Sequence, residues 1–337
     1  MKLGKISPAI WKRSVKKQLH KRREDVTEIQ MYGTYSEMFG DEEQMLWADA
    51  QSVGHSTETG VYAVRMAVGN LAAQGIATVG ISVNLLFPTA FEEQLLSQTV
   101  EKVEAFCEVE GIQVSSVKAE GSCAVNQFVA AVTAVGRKEK ENALAEQPLD
   151  YRKSNVRELV YCGFAGLEGT LRILEESEEE LSSRFVNTFL KSAKENVREL
   201  ITPKQIFSIF EGVEKEVRPV VRQVGSGGVL AALWELAETE KLGFEISMQA
   251  IPLKQETVEV CEFYRLNPYQ MTSAGSYLIL TEQADRVIEV LEKSGARAVR
   301  LGVAKAQNAR VITSREEVRY LDRPAPDELA RWQAKRM

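Results

Sequence analysis

The chain has 337 residues, 44% of them apolar, with a net charge of −6. That length suits two domains with their own cores, and the acidic balance argues against a general nucleic-acid binder. Only two histidines, His20 and His55, and four cysteines without a CxxC spacing occur, which argues against a histidine-rich zinc site, a histidine-based triad or a disulfide framework.

Ser7-Pro8 is a helix opening, a capping hydroxyl followed by proline at the first helical position. A helix over residues 7–23 is expected, with Ile10, Trp11, Val15 and Leu19 on one face and Lys12, Arg13, Lys16, Lys17, Lys21, Arg22 and Arg23 over the rest. Two readings are open: a helix docked on its own domain with a solvated basic face, which is favoured, or one that meets a membrane surface or an acidic partner. No apolar run approaches the roughly 18–20 residues that span a bilayer. The first residues lack a signal-peptide core, so the expectation is a cytoplasmic chain without membrane contact.

A short strand is expected at 45–50, ending near Asp49, then a helix over 57–74 stopped by Gly75. An apolar, β-branched strand over 79–87 is closed by Pro88, and a helix follows over 91–110, ended by Gly111. Strands at 112–117 and 124–135 complete the first domain, placed at 1–145. Arg137–Asp150 has the composition of a linker. The second domain, placed at 151–325, should hold strands near 159–163, 218–224, 244–250, 276–281 and 297–304. Its helices are expected from Gly166 into the acidic run Glu175–Glu180, then near 184–196, 203–215, 227–240, 255–265 and 284–294. Residues 326–337 read as a tail. Such alternation implies an α+β arrangement of helices layered on sheets.

Residues 218–234 carry the strongest signature. Arg222-Gln223-Val224-Gly225-Ser226-Gly227-Gly228 joins an apolar strand to a helix through a glycine turn. It is followed by Leu266-Asn267-Pro268 and Gly275-Ser276, and preceded by Gly166-Leu-Glu-Gly-Thr170. This order resembles the C-terminal half of the AIR-synthase (PurM-like) superfamily, most closely its hydrogenase-maturation (HypE-like) branch. In the first half, Asp49, Gly69-Asn70-Leu71-Ala72-Ala73-Gln74-Gly75 and Leu85-Leu86-Phe87-Pro88 are similar to family segments in the same order.

The resemblance implies a two-domain α+β fold, a homodimer whose N-terminal sheets close into a barrel, and ATP held with Mg²⁺ for phosphorylation of an amide or carbonyl oxygen. It also implies candidate positions: Asp49 for metal and nucleotide, and Asn70, Arg222, Gly227 and Gly228 for nucleotide. The chain departs from the family where the chemistry lies. His-Asp-Val-Thr-Glu-Gly-Gly becomes Arg222-Gln223-Val224-Gly225-Ser226-Gly227-Gly228, and an Asn-Asp pair becomes Gly69-Asn70. A Gly-Gly segment becomes Ser115-Ser116, and the terminal cysteine of hydrogenase-maturation members is absent.

Mg²⁺ is a hard ion that wants several carboxylate oxygens, and Asp49 is the one clearly kept, with Asp41 and Glu120 as further carboxylates. Two functional readings follow. One is a non-catalytic scaffold that binds a protein partner or a small ligand. The other is an ATP-dependent enzyme with a remodelled site, in which Arg222 and the helix start at Gly227-Gly228 meet phosphate. A nucleotide-binding regulator without turnover is a third. Arg222 read without function is a residue at a strand edge, and the glycines are what a tight strand-to-helix turn requires.

Overall fold

The computed structural model describes residues 3–139, 157–213, 218–315 and 317–336. The chain divides into two compact units, Met1–Pro148 and Leu149–Met337, and each has an α+β architecture.

In the first unit, α1 (Pro8–Ser14) precedes β1 (Ser36–Phe39), β2 (Glu43–Gly54), α2 (Thr59–Ala72), β3 (Thr78–Phe87), α3 (Glu93–Glu110), β4 (Gln113–Gly121) and β5 (Phe128–Glu139). The five strands form one sheet in the order β1-β2-β5-β3-β4. Only β3 and β4 run parallel, because α3 carries the chain back between them; all other pairs are antiparallel.

Side chains alternate across a strand. Leu46 and Ala48 of β2, Ile81, Val83 and Leu85 of β3 and Ala130, Val132 and Ala134 of β5 therefore share one face. They pack against Val64, Ala67, Val68 and Leu71 of α2 and Val103 and Cys107 of α3. Phe87 stacks on Phe128 and on Phe91 at centroid distances of 4.3 and 4.4 Å, closing that core at one end.

The second unit contains β6 (Glu158–Cys162), α4 (Leu167–Glu176), α5 (Glu178–Ser182), α6 (Asn187–Glu195), α7 (Pro203–Gly212), β7 (Val220–Gln223), α8 (Gly228–Glu240) and β8 (Gly243–Ser247). It continues with α9 (Gln255–Tyr264), β9 (Tyr277–Thr281), α10 (Ala284–Lys293), β10 (Ala298–Lys305), β11 (Arg310–Ser314), β12 (Glu317–Tyr320) and α11 (Glu328–Ala334). Seven strands form one sheet, ordered β12-β11-β8-β10-β6-β9-β7. Leu159 and Tyr161 of β6 and Leu278 and Leu280 of β9 pack with Val229, Ala232, Leu233 and Leu236 of α8. The strand β9, beside the edge strand β7, is buried on both faces, which explains why its sequence reads as an unbroken apolar run. A capping box at Thr202, reciprocated by Gln205, starts α7.

Several expectations change. The first helix stops at Ser14 instead of reaching residue 23, because Val15 leaves helical geometry (φ −116°, ψ −72°) and only a 3₁₀ turn, Lys16–Gln18, follows. None of residues 3–23 is fully buried, while Ile6, Ile10, Trp11 and Val15 are partly covered. The strand expected from 124 begins at Phe128, and β5 runs through the start of the polar stretch to Glu139. The remainder of that stretch, residues 140–150, lies outside the described residues. The tail placed at 326–337 is an element of the second unit: α11 buries Leu329 and Trp332. β1, β11 and β12 are not legible in the sequence, being short strands at or next to a sheet edge without a clean apolar alternation. Among the described residues no helix is long and apolar enough to cross a membrane.

Candidate functional site

The strand–turn–helix from β7 to α8 is built as the sequence suggests. Val220–Gln223 pairs with β9 at the edge of the sheet, and Gly225–Gly227 turns the chain into α8. Gly228 has φ +66°, and a Cβ there would lie 2.5 Å from the Tyr269 carbonyl oxygen and 2.6 Å from that of Met271. Gly166 ahead of α4 has φ +70°, and a Cβ would meet the Pro268 carbonyl at 2.8 Å. The Asn267–Met271 turn is thus wedged between the starts of two helices. Both glycines are required by that close approach and by left-handed backbone, whatever else the loop does.

The α8 N-terminus is occupied by the chain itself. Gly227 N–H donates to Asp327 Oδ2 at 2.6 Å. The other oxygen of Asp327 accepts from Leu329 N–H at 2.9 Å and from Ala330 N–H at 3.3 Å, capping α11. One buried carboxylate therefore fills the anion position of one helix and starts another. Burial pushes the Asp327 carboxyl above its usual range. The Gly227 hydrogen bond opposes that shift, and the nearby charge of Glu168 adds to it.

Glu168 is a second buried carboxylate, 1% exposed. It accepts from Thr272 Oγ1 at 2.6 Å and Ala274 N–H at 3.1 Å, and pairs with Arg172 at 3.0 Å. Around it Gly166 N–H donates to Ser273 Oγ at 2.7 Å, and the Tyr161 hydroxyl donates to Ser276 Oγ at 2.9 Å. These bonds fix the 271–276 loop against α4 and β6. They satisfy polar groups that would otherwise be costly to bury.

Arg222 is not a solvent-facing edge residue, although β7 is an edge strand. Its guanidinium bonds Glu235 Oε2 at 2.6 Å, with side chains 10% and 6% exposed. Glu235 sits seven residues beyond Gly228, about 10 Å along the helix axis at ~1.5 Å per residue. The guanidinium is therefore drawn toward the middle of α8 and away from its N-terminus. Of the candidate residues in this unit, Gly227 and Gly228 stand together at the turn, and Arg222 leaves it.

Asp49 and Asn70 belong to the first unit, and the sheet separates them. Asn70 is buried in α2, which packs on the face of Leu46 and Ala48. Asp49 alternates to the opposite, exposed face, where its Oδ1 accepts from Thr133 Oγ1 at 2.5 Å. The register extends this into a polar row, Asp49, Thr133, Ser82 and Ser116, across four strands. Asp41 and Glu120 are exposed. Among the described residues no group of three or more His, Cys, Asp or Glu is arranged to hold a metal. Among the described residues Asp49 thus stands without the companion carboxylates that Mg²⁺ needs, and the residues at Asp49 and at the start of α8 do not by themselves fit a magnesium ion. His55 lies 3.1 Å from the Gln127 amide nitrogen.

Asp327, Glu168 and Glu235 went unassigned at the level of sequence. Asp327 did carry a signal: an acid directly before Glu328-Leu329 and Trp332 is a helix cap at the head of an amphipathic run.

Residues 166–314 match the family described as AIR synthase related protein, C-terminal domain. A putative hydrogenase expression/formation protein of Methanocaldococcus jannaschii is 23% identical over 306 residues, spanning 87% of this chain and 85% of the relative. Among solved structures, a HypE in complex with ATP superposes with a TM-score of 0.63 at 15% identity, covering 85% of this chain and 87% of that one. A chain of a HypE–HypF complex gives 0.64 at 14%, covering 86% and 93%. Residues 166–314 are thus similar to the AIR synthase related C-terminal domain, and the whole chain resembles HypE-like proteins in fold.

Proposed function

We propose that this chain is a non-catalytic HypE-like scaffold that works by binding a partner and not by turning over ATP. The observation that carries this reading is the Asp327 carboxylate on Gly227 N–H. A phosphate group arriving at the start of α8 would meet a negative charge where it needs a donor. The engagement of Arg222 by Glu235 and the solitary position of Asp49 support the same conclusion. The competing reading, an ATP-dependent enzyme that activates an amide or carbonyl oxygen, draws its support from the HypE solved with ATP.

The partner reading has two parts. The first is a homodimer through the N-terminal unit. The sheet face opposite α2 and α3 carries Met45, Trp47, Val53, Val129 and Val135 around the polar row, and Met45 is 41% exposed. Apolar groups in such a patch gain by meeting a second surface. The second part is a different protein; a HypE solved together with HypF gives that its support.

Calorimetric titration with ATP, with and without Mg²⁺, tests the main reading. No magnesium-dependent heat is expected; micromolar binding that requires Mg²⁺ would overturn it in favour of the enzyme. Light scattering tests the dimer: Trp47→Glu should halve the mass in solution while the melting transition persists, and a wild-type monomer at micromolar concentration removes this part.

A further inference from the structure

The first segment of the chain is chemically unlike the rest. Residues 2–23 contain nine Lys and Arg and no Asp or Glu; they contribute +9 to a net −6, so the remainder carries −15. None of the described residues of this segment is buried. Leu3 and Leu19 are 49% and 51% exposed, and α1 buries nothing. Ile10, Trp11 and Val15 are only partly covered.

The helix α1 ends at Ser14, yet the sequence pattern runs on past it. At about 100° per residue, a continuous helix over 8–19 would place Ile10, Trp11, Ser14, Val15, Gln18 and Leu19 on one half of its circumference. Lys12, Arg13, Lys16 and Lys17 would fill the other half. The division is complete, and Ser7, which caps α1 through Ile10 N–H, would still start the longer helix. The second half buries no residue fully, and an isolated helix this short is marginal. Lys16 and Arg22 pair with Glu28, and Arg23 with Asp25, all at the surface.

We propose that residues 5–23 bind an anionic lipid surface, with residues 8–19 folding there into one amphipathic helix that lies in the interface. Cations on one arc and Ile, Trp, Val and Leu on the other are what such a surface takes. A nucleic acid would use the charge and leave the apolar arc wet. The acidic remainder of the chain is repelled by the same lipids, so attachment depends on this segment alone. This revises the expectation of a chain without membrane contact.

The test uses the full chain and vesicles of phosphatidylcholine with and without phosphatidylglycerol. The protein should sediment with the anionic vesicles, with binding that weakens as salt rises, and its helical content should increase. Lys12→Gln with Lys17→Gln should lower the partition about thirtyfold, about fivefold per cation; Trp11→Ser should lower it further. Both changes lie on exposed residues outside the cores, and an unchanged melting transition verifies folding. Failure to bind anionic vesicles, equal binding to neutral ones, or indifference to the double substitution overturns the proposal. A salt-sensitive oligomer formed without lipid, lost in the double variant and accompanied by no vesicle binding, also overturns it and assigns the segment to the acidic surface of a second copy.

Discussion

Replacing Asp327 with alanine removes the acceptor of three backbone N–H groups, those of Gly227, Leu329 and Ala330. Loss of the cap on α11 costs about 1 kcal/mol. Leaving the Gly227 N–H without its partner in a buried place costs about 1–3 kcal/mol more. The sum, about 2–4 kcal/mol, falls on the docking of α11, which holds Leu329 and Trp332 inside. Hydrogen exchange of the α11 amides reads that local opening directly. Protection should fall about 30- to 800-fold in Asp327→Ala, a factor of ten per ~1.4 kcal/mol.

Asp327→Asn keeps an acceptor and removes the buried charge, so it should cost less. The carboxyl is held above its ordinary value of 3.8 by burial, so the folded chain binds that proton more tightly than the unfolded one. Stability from this group is then greatest below 3.8 and is lost as pH rises through the folded value. The advantage of wild type over Asp327→Asn should shrink with rising pH. An Asp327→Ala variant whose α11 amides exchange within threefold of wild type would refute the latch, and an advantage that grows with pH would refute the electrostatic part.

Glu235→Ala leaves the Arg222 guanidinium buried without its carboxylate and should destabilise the second unit by about 3–5 kcal/mol in urea unfolding; a loss below about 1 kcal/mol would mean that the pair is screened. Gly228→Ala forces a Cβ against two carbonyl oxygens at positive φ and should cost more than about 2 kcal/mol, read as a drop in the melting temperature. Cys107, Cys162 and Cys261 are buried, and burial pushes the thiols of Cys107 and Cys261 up to about 12. A disulfide reagent on native protein should therefore count one fast thiol, exposed Cys123, and Cys123→Ser should abolish that fast reaction. Fast labelling of more than one thiol would place a buried cysteine within reach of solvent.

Much of the fold is written locally. Alternation in β2, β3 and β5, the capping hydroxyls of Ser7 and Thr202, and the glycine turn at Gly225–Gly228 each follow from short-range sterics and burial, so sequence alone determined the order of most elements and the family they resemble. The vanished acids of the Arg222–Gly228 motif were legible in the same way, because a missing carboxylate needs no coordinates to be missed. Tertiary structure decided what replaced them. Asp327 lies a hundred residues from Gly227, and only the return of α11 brings its carboxylate to the head of α8. Arg222 reads as a free cation until the helix turns Glu235 toward it across thirteen residues. Asp49 and Asn70 both read as nucleotide positions until the sheet puts them on opposite faces. Short-range patterns record where backbone can bend and which faces avoid water; which charge meets which donor depends on chain return, which no local pattern carries.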